Sequence, residues 1–140
     1  MSLRHVSTTH FSDVKRYLHV HRWALWITIF SLMLIVLMTA LSLWRLLPIV
    51  RENSYIPLHY NIYLGIDRFG PWYHVFISPV LGFAFLILNL SLAAQLSEIE
   101  SHAFRFGRNE PILSRLLMWL TPVLELIFFT GVVFILLLNL

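Results

Sequence analysis

The sequence contains no cysteine, and this absence excludes disulfide bonds, thiolate metal sites, thioether-linked haem and cysteine nucleophiles together. Charged side chains are also scarce: they make up 12% of the 140 residues, whereas 59% of the residues are hydrophobic. Because soluble domains carry about 25% charged residues, this composition indicates a membrane protein.

The familiar sequence patterns of enzymes are missing as well. No hydrolase elbow, phosphate-binding loop, zinc-protease helix or pair of acids occurs. His59, Asp67 and His74 could converge on one site, but three such residues are weak grounds for a metal centre. The basic residues form no groove-sized patch that would suit nucleic acid. We therefore expect no enzyme, no catalytic residue, no metal, no cofactor and no nucleic-acid partner.

Three long runs of uncharged residues predict the architecture. They cover residues 23–44, 75–96 and 116–138, and Glu125 is the one charged residue among them. A helix of 22 residues is about 33 Å long, which matches a hydrocarbon core of about 30 Å. Helices are the default for such segments because they satisfy their own backbone hydrogen bonds in lipid. We predict an all-α integral membrane protein, a single domain over residues 1–140 with three transmembrane helices.

The basic residues predict the orientation. Seven belong to one side and three to the other: Arg4, Lys15, Arg16, Arg22, Arg105, Arg108 and Arg115 against Arg45, Arg51 and Arg68. Lys and Arg of short loops stay in the cytoplasm. We expect a multi-pass protein of the cell (inner) membrane, with cytoplasmic segments 1–22 and 97–115, an external loop 45–74 and an external C-terminus.

Two cytoplasmic segments also carry helix signals. Ser12 could cap a short helix that lies along the membrane surface, with Lys15, Arg16, His19 and His21 on its wetter side. His19 and His21 are two positions apart, which is a poor spacing for a shared metal ion. The run Asn109, Glu110, Pro111 resembles the start of a helix.

A polar layer is predicted inside the membrane. Ser31, Asn89 and Glu125 each fall within about 3–6 Å of the midpoint of their own span, judged by the helical rise. A carboxylate at the bilayer centre costs about 3 kcal/mol on insertion scales, so some group should compensate for Glu125. We favour a neutral Glu125 that hydrogen-bonds Asn89 or a hydroxyl and holds the helix register. The alternatives are a proton or cation site and a contact with a partner subunit.

The predicted external loop is the most distinctive part of the sequence. It contains Ile56-Pro57-Leu58-His59-Tyr60-Asn61, followed by Gly65, Asp67 and Gly70-Pro71-Trp72. Pro and Gly at these positions indicate turns, and the apolar residues between them can pack against helix ends. We therefore expect an ordered loop, with His59 and Asn61 on one side of a short extended piece.

His59 and Asp67 are the loop residues best suited to chemistry. His59 could bind a metal or take up a proton, although we favour hydrogen bonds to loop carbonyls that hold the turn. Asp67 could pair with Arg68 or Arg51, or accept backbone N–H groups after Gly65.

This loop resembles the domain of unknown function found in SdpI-type bacterial membrane proteins. The likeness lies in Pro57, His59, Asn61, Gly65 and Asp67, with Leu47-Pro48 before them, and it covers roughly residues 23–94. The sequence departs from the pattern in the short spacing between Gly65 and Asp67. It also carries Trp72-Tyr73-His74 where a basic residue is expected. The resemblance implies a bacterial inner-membrane protein connected with immunity to a membrane-acting toxin or with signalling.

Three functions therefore remain open. The favoured one is a membrane protein that binds a protein or peptide, of the SdpI-like kind. The second is a structural accessory subunit of a larger membrane complex, and the third is a small proton-coupled transport component that uses Glu125. Beyond the lipid bilayer, the expected partner is another membrane protein or a second copy of the chain.

Overall fold

The described part of the chain is mostly helical, with one small β-sheet. A computed structural model describes residues 4–50, 55–103 and 112–139, and the side chains of residues 12–48, 55–100 and 112–139. The elements are, in order, α1 (Arg4–Val20), α2 (Arg22–Val50), β1 (Tyr55–Asn61), β2 (Gly65–Pro71), a 3-10 helix (Trp72–Phe76), α3 (Ile77–Ala103) and α4 (Ile112–Leu138).

The prediction of three membrane-length helices is confirmed among the described residues. The segments Arg22–Pro48, Trp72–Glu100 and Ile112–Leu138 are long and apolar enough to cross a bilayer. Their mean hydropathy is 2.4, 2.2 and 2.3 respectively. The chain is therefore compatible with a multi-pass membrane protein.

The all-α prediction is wrong in one place, because residues 55–71 form a two-stranded antiparallel hairpin. A loop that was expected to contain one short extended piece around His59 forms two paired strands. The physical reason lies in its composition: β-branched and aromatic residues in short extended runs meet across a Gly65 turn, and the strands then satisfy each other's backbone groups.

The helices are longer than the uncharged runs that predicted them. α2 continues past Trp44 to Val50 and contains Pro48, while α3 continues past residue 96 to Ala103. α1 begins at Arg4, so Ser12 lies within the helix and is not its N-cap. Charged and polar residues end a membrane crossing, but they are compatible with further helical turns in water. The predictions for Arg51, Arg105, Arg108 and residues 109–111 lie outside the described residues.

The chain divides into two compact units, and α2, α3 and α4 contribute to both. Unit 1 comprises residues 1–31 and 84–123, and unit 2 comprises residues 32–83 and 124–140. The core of unit 1 combines one or two buried side chains from each of four helices: Tyr17, Ala24, Ile27, Ala93, Ala94 and Met118. Tyr17 is 4% exposed, so α1 packs its aromatic ring against the other helices of this unit.

Polar contacts at the ends of the helices support unit 1. Arg16 forms ion pairs with Glu98 and Asp13. The Leu113 N–H donates to Glu100 Oε1 at 2.9 Å, which satisfies a free backbone donor in the first turn of α4. The Arg115 guanidinium lies 5.3 Å from the Trp23 ring centroid. α1 is thereby held by charge as well as by Tyr17.

The core of unit 2 is made of buried side chains from α2, the hairpin, the 3-10 helix and α4. These are Leu34, Ile35, Met38, Leu46, Ile56, Val75 and Val132. Ile56 is 1% exposed and Val75 is also 1% exposed, so the hairpin base and the 3-10 helix are both anchored by an apolar side chain. This anchoring positions the hairpin at the end of the helices of unit 2.

Candidate functional site

The hairpin contains the five residues on which the family resemblance was based: Pro57, His59, Asn61, Gly65 and Asp67. The pairing register of its two strands is irregular at the centre. Pro57 pairs with Phe69, His59 with Arg68 and Tyr60 with Ile66, so the register skips Leu58 on β1 and Asp67 on β2. Such bulges bend a strand and redirect side chains. Here the irregularity coincides with the two residues that the sequence singled out for chemistry.

His59 and Asp67 are brought into direct contact. The His59 Nδ1 lies 2.6 Å from the Asp67 Oδ1, and the side chains are 62% and 29% exposed. Asp67 therefore pairs with His59 across the hairpin, a partner that was not among those expected from the sequence. The described side chains form no ion pair between Asp67 and Arg68, and Arg51 lies outside them. A carboxylate on one imidazole nitrogen fixes the ring's orientation, and in this geometry the pair links β1 to β2.

Asn61 and Gly65 build the turn between the strands. The Tyr63 N–H donates to the Asn61 Oδ1 at 2.9 Å, an Asx-type turn in which a side chain replaces a backbone acceptor. Gly65 has φ of 76°, a backbone conformation that an L side chain adopts only with strain. Both residues therefore have a structural reason for their position.

Pro57 and Gly70 hold the hairpin to its surroundings in unit 2. The Asn139 Nδ2 donates to the Pro57 carbonyl at 3.0 Å and to the Ile135 carbonyl at 2.8 Å, which ties β1 to the end of α4. Gly70 is buried, and a Cβ there would collide with Leu58. Asn139 was missed by the sequence reasoning because its partner is 82 positions away.

The turn of this hairpin is apolar and exposed. Ile62, Tyr63 and Leu64, which we call the hairpin tip, are 80%, 91% and 77% exposed. Turns in water normally carry Gly, Asn, Asp, Ser or Pro at such positions. The backbone of the turn is explained by Asn61 and Gly65, whereas the side chains of the tip contribute nothing to that geometry.

Comparisons with known proteins supply no family. No family model matches the chain, and no curated protein or solved structure matches it either.

The second predicted set of residues, the intramembrane polar layer, is buried. Ser31 is fully buried and Asn89 is 4% exposed in unit 1, and Glu125 is fully buried in unit 2. The Asn89 Nδ2 donates to the Thr121 Oγ1 at 2.9 Å, which joins α3 to α4. Thr121, one helical turn before Glu125, is thus the hydroxyl partner of Asn89.

Glu125 lies in a close approach of three helices within unit 2. Gly82 of α3 faces it: a Cβ at Gly82 would lie 3.7 Å from the Glu125 Cγ and the same distance from the Met38 Cε. The Ile35 Cγ1 would be 3.5 Å away. A methyl group at Gly82 would make ordinary van der Waals contact with α2 and α4, so this position of α3 lies directly against both helices beside the carboxyl.

The described side chains offer few groups that could bind a metal ion. They contain no group of three or more His, Cys, Asp or Glu that could hold a metal ion. His74 lies over Gly70, where its Nδ1 would be 3.2 Å from an added Cβ. The candidate site is therefore the hairpin tip, supported by the His59–Asp67 pair.

Proposed function

We propose that this protein is a small bacterial inner-membrane protein that binds a peptide or protein partner through the hairpin tip. The proposal follows the resemblance to SdpI-type proteins and gives the chain a role in immunity to a membrane-active peptide or in signalling. The positive charge of the segments predicted to be cytoplasmic supports an external position for the hairpin.

The observation that carries the proposal is the contrast between the frame of the hairpin and its tip. His59, Asn61, Gly65, Asp67 and the Pro57 carbonyl all have structural roles in this frame. The side chains of the tip have no such role, yet three consecutive ones are large, apolar and exposed. Exposed apolar clusters on an otherwise ordered surface mark sites of interaction.

Peptide binding also suits the chemistry of a two-stranded sheet. Within the part of the chain that the structure describes, no third strand uses the outer backbone N–H and C=O groups of β1 and β2. An extended peptide can pair with such an edge. Apolar side chains of the tip would then bind the apolar side chains of a membrane-active peptide. The His59–Asp67 pair keeps the tip in place but does not itself contact the ligand.

This function is tested by asking whether the protein protects living cells against membrane-active peptides. The full chain is expressed in a bacterial host, and the inhibitory concentration of each member of a panel of membrane-active peptides is compared with that of the empty vector. We expect a higher inhibitory concentration for at least one peptide. Tyr63→Ser should abolish the protection, and His59→Ala or Asp67→Ala should weaken it.

A matched control is Tyr55→Ser, which removes the same side chain from the base of the same hairpin. Tyr55 is 66% exposed and pairs with Pro71, far along the strands from the tip. We expect this variant to keep its protection. Wild-type cells as sensitive as the vector control to every peptide would contradict the proposal, as would equal loss from Tyr55→Ser and Tyr63→Ser.

A second function, that of an accessory subunit of a larger membrane complex, has its own supporting observation. Only 33%, 28% and 22% of the most apolar windows of the three candidate spans are buried within the chain. The remaining apolar surface is available to lipid or to other helices. Purification in mild detergent with a stoichiometric larger partner would support this function, and a stable monomer would contradict it.

A further inference from the structure

We propose a binding site for the phosphate headgroup of an anionic phospholipid where α1 meets α2 in unit 1. A pocket of about 790 Å³ opens there, and it is lined by Ser12, Lys15, Arg16, Leu18, His19, Arg22 and Leu25. None of these residues has a part in the peptide-binding proposal. The pocket volume is in the range of sites for small organic molecules.

The sequence and the helix junction together create this pocket. Ser12, Lys15, His19 and Arg22 follow one another at three- and four-residue steps, which places polar side chains along one face. His21 is the single non-helical residue between α1 and α2, and its carbonyl accepts the N–H groups of Ala24 at 2.9 Å and Leu25 at 3.4 Å. The face therefore continues from α1 into the first turn of α2.

Contacts of α1 within unit 1 hold the pocket in shape. Tyr17 is buried in the core of this unit, on the other side of α1 from the polar face. Arg16 is engaged by Glu98 and by Asp13, so its charge is largely balanced. The cations that remain for a ligand are Lys15 and Arg22, for which the described residues offer no carboxylate within ion-pair distance.

The position of the pocket selects a lipid over a free anion. Arg22 is the first residue of a candidate membrane span, and Leu25 lines the pocket one turn further in. Leu25 is 40% exposed and its neighbour Trp26 is 69% exposed. A phospholipid suits both the basic and the apolar part of this region. Its phosphate can reach Lys15 and Arg22 while an acyl chain lies along Leu25 and Trp26. Basic residues next to a membrane helix attract anionic headgroups in this way.

Quenching of tryptophan fluorescence by brominated lipids tests the site. The full chain is reconstituted into vesicles of phosphatidylcholine and phosphatidylglycerol, with the acyl chains of one or the other lipid brominated at equal mole fraction. Stronger quenching by brominated phosphatidylglycerol measures a preference for the anionic lipid. We expect such a preference in the wild type. In the variant Lys15→Gln/Arg22→Gln, we expect the affinity for phosphatidylglycerol relative to phosphatidylcholine to fall about fivefold for each cation removed.

The matched control is Arg45→Gln/Arg68→Gln, which removes the same net charge from the other unit. We expect it to keep the preference of the wild type. Equal quenching by the two lipids in the wild type would overturn the proposal, and so would an equal loss in both double variants. Circular dichroism of both variants in the same vesicles checks that each retains its helices.

Added inorganic phosphate shows whether the pocket binds a phospholipid headgroup or a free phosphate ion. Added phosphate is compared with added chloride at equal ionic strength in the wild-type vesicles. We expect both salts to weaken the preference equally, because they only screen the charges. A loss that is specific to phosphate would assign the pocket to a free phosphate and overturn the lipid assignment.

Discussion

The imidazole of His59 and the carboxylate of Asp67 meet at 2.6 Å, at the point where the hairpin register skips Asp67. A carboxylate on a strand normally points to one face at a fixed step of two residues. The irregular register redirects Asp67 toward the opposite strand, so the pair acts as a link between β1 and β2.

Breaking this link should loosen the hairpin by a small amount. Because the two side chains are 62% and 29% exposed, we expect a coupling free energy of about 0.2–1 kcal/mol between His59→Ala and Asp67→Ala. Amide hydrogen exchange of the β1 and β2 backbone in a double-mutant cycle measures it. Arg68→Ala combined with His59→Ala serves as the control and should be additive, whereas additivity of the first pair would show that the contact contributes nothing.

Gly65 should be sensitive to substitution for a backbone reason alone. Nothing lies within 4 Å of a Cβ built at Gly65 or at Gly131, but only Gly65 has a positive φ. Gly65→Ala should destabilise the hairpin by about 1 kcal/mol, whereas Gly131→Ala in α4 should be neutral or stabilising. Hydrogen exchange at Tyr63 and Ile66 reports the first change, and thermal unfolding in detergent reports both. Equal effects of the two substitutions would contradict the role of φ.

The hydrogen bond from Asn89 to Thr121 should contribute measurably to the packing of α3 on α4. Thr121→Val keeps the shape of the side chain and removes its oxygen, and we expect a loss of about 0.6–1.7 kcal/mol in unfolding free energy. The control is Thr130→Val, since the exposed Thr130 hydroxyl only donates to the Leu126 carbonyl of its own helix. Unfolding in mixed micelles provides the measurement, and equal losses from both variants would refute the interhelical role.

Glu125 distinguishes a structural carboxyl from a proton-carrying one. Glu125→Gln keeps size and polarity without a titratable proton, and we expect its assembly and peptide protection to match the wild type. Glu125→Leu should reduce stability, because a buried polar side chain beside Gly82 is replaced by one that cannot hydrogen-bond. Proton flux into vesicles checks the alternative: loss of a wild-type flux in Glu125→Gln would support transport.

Tyr17 predicts a loss of stability at high pH. Burial raises the pKa of Tyr17 above its ordinary value of about 10. The side-chain hydrogen bond with Ser114 lowers this pKa and the charge of Glu100 raises it, but both effects are smaller than that of burial. The unfolded chain then ionises before the folded one, so stability is complete below pH 10 and falls as the pH rises through the folded pKa. Tyr17→Phe should remove this fall. Phenolate absorbance against pH locates the transition, and an unchanged pH profile in Tyr17→Phe would contradict the assignment.

The sequence predicted the helices better than it predicted the connections. The long uncharged runs correctly predicted the positions of α2, α3 and α4, because few other kinds of segment can cross a lipid bilayer. The same criterion placed the helix ends too early, at Trp44 and residue 96, since a helix continues into water beyond its last apolar turn. Ser12 was expected to begin a helix that in fact begins at Arg4.

The candidate site was recognisable in its residues but not in its geometry. Pro57, His59, Asn61, Gly65 and Asp67 were all singled out from the sequence as an ordered loop. Their pairing as a hairpin depends on contacts between residues separated along the chain, and the tie from Asn139 to Pro57 spans 82 positions. The exposure of the tip was not predicted, because the apolar residues of this loop were expected to pack against helix ends, whereas Ile62, Tyr63 and Leu64 are exposed.

The sequence by itself determined that three segments are able to cross a bilayer and that Glu125 is set in an apolar run. Hydrophobicity is a local property, so it can be read from residues in order. Only the tertiary structure decided that Asp67 faces His59, that Asn89 bonds Thr121 and that Tyr17 is buried within unit 1. Each of these depends on how separate segments pack, and packing is settled by the fit of distant side chains and not by any one stretch of sequence.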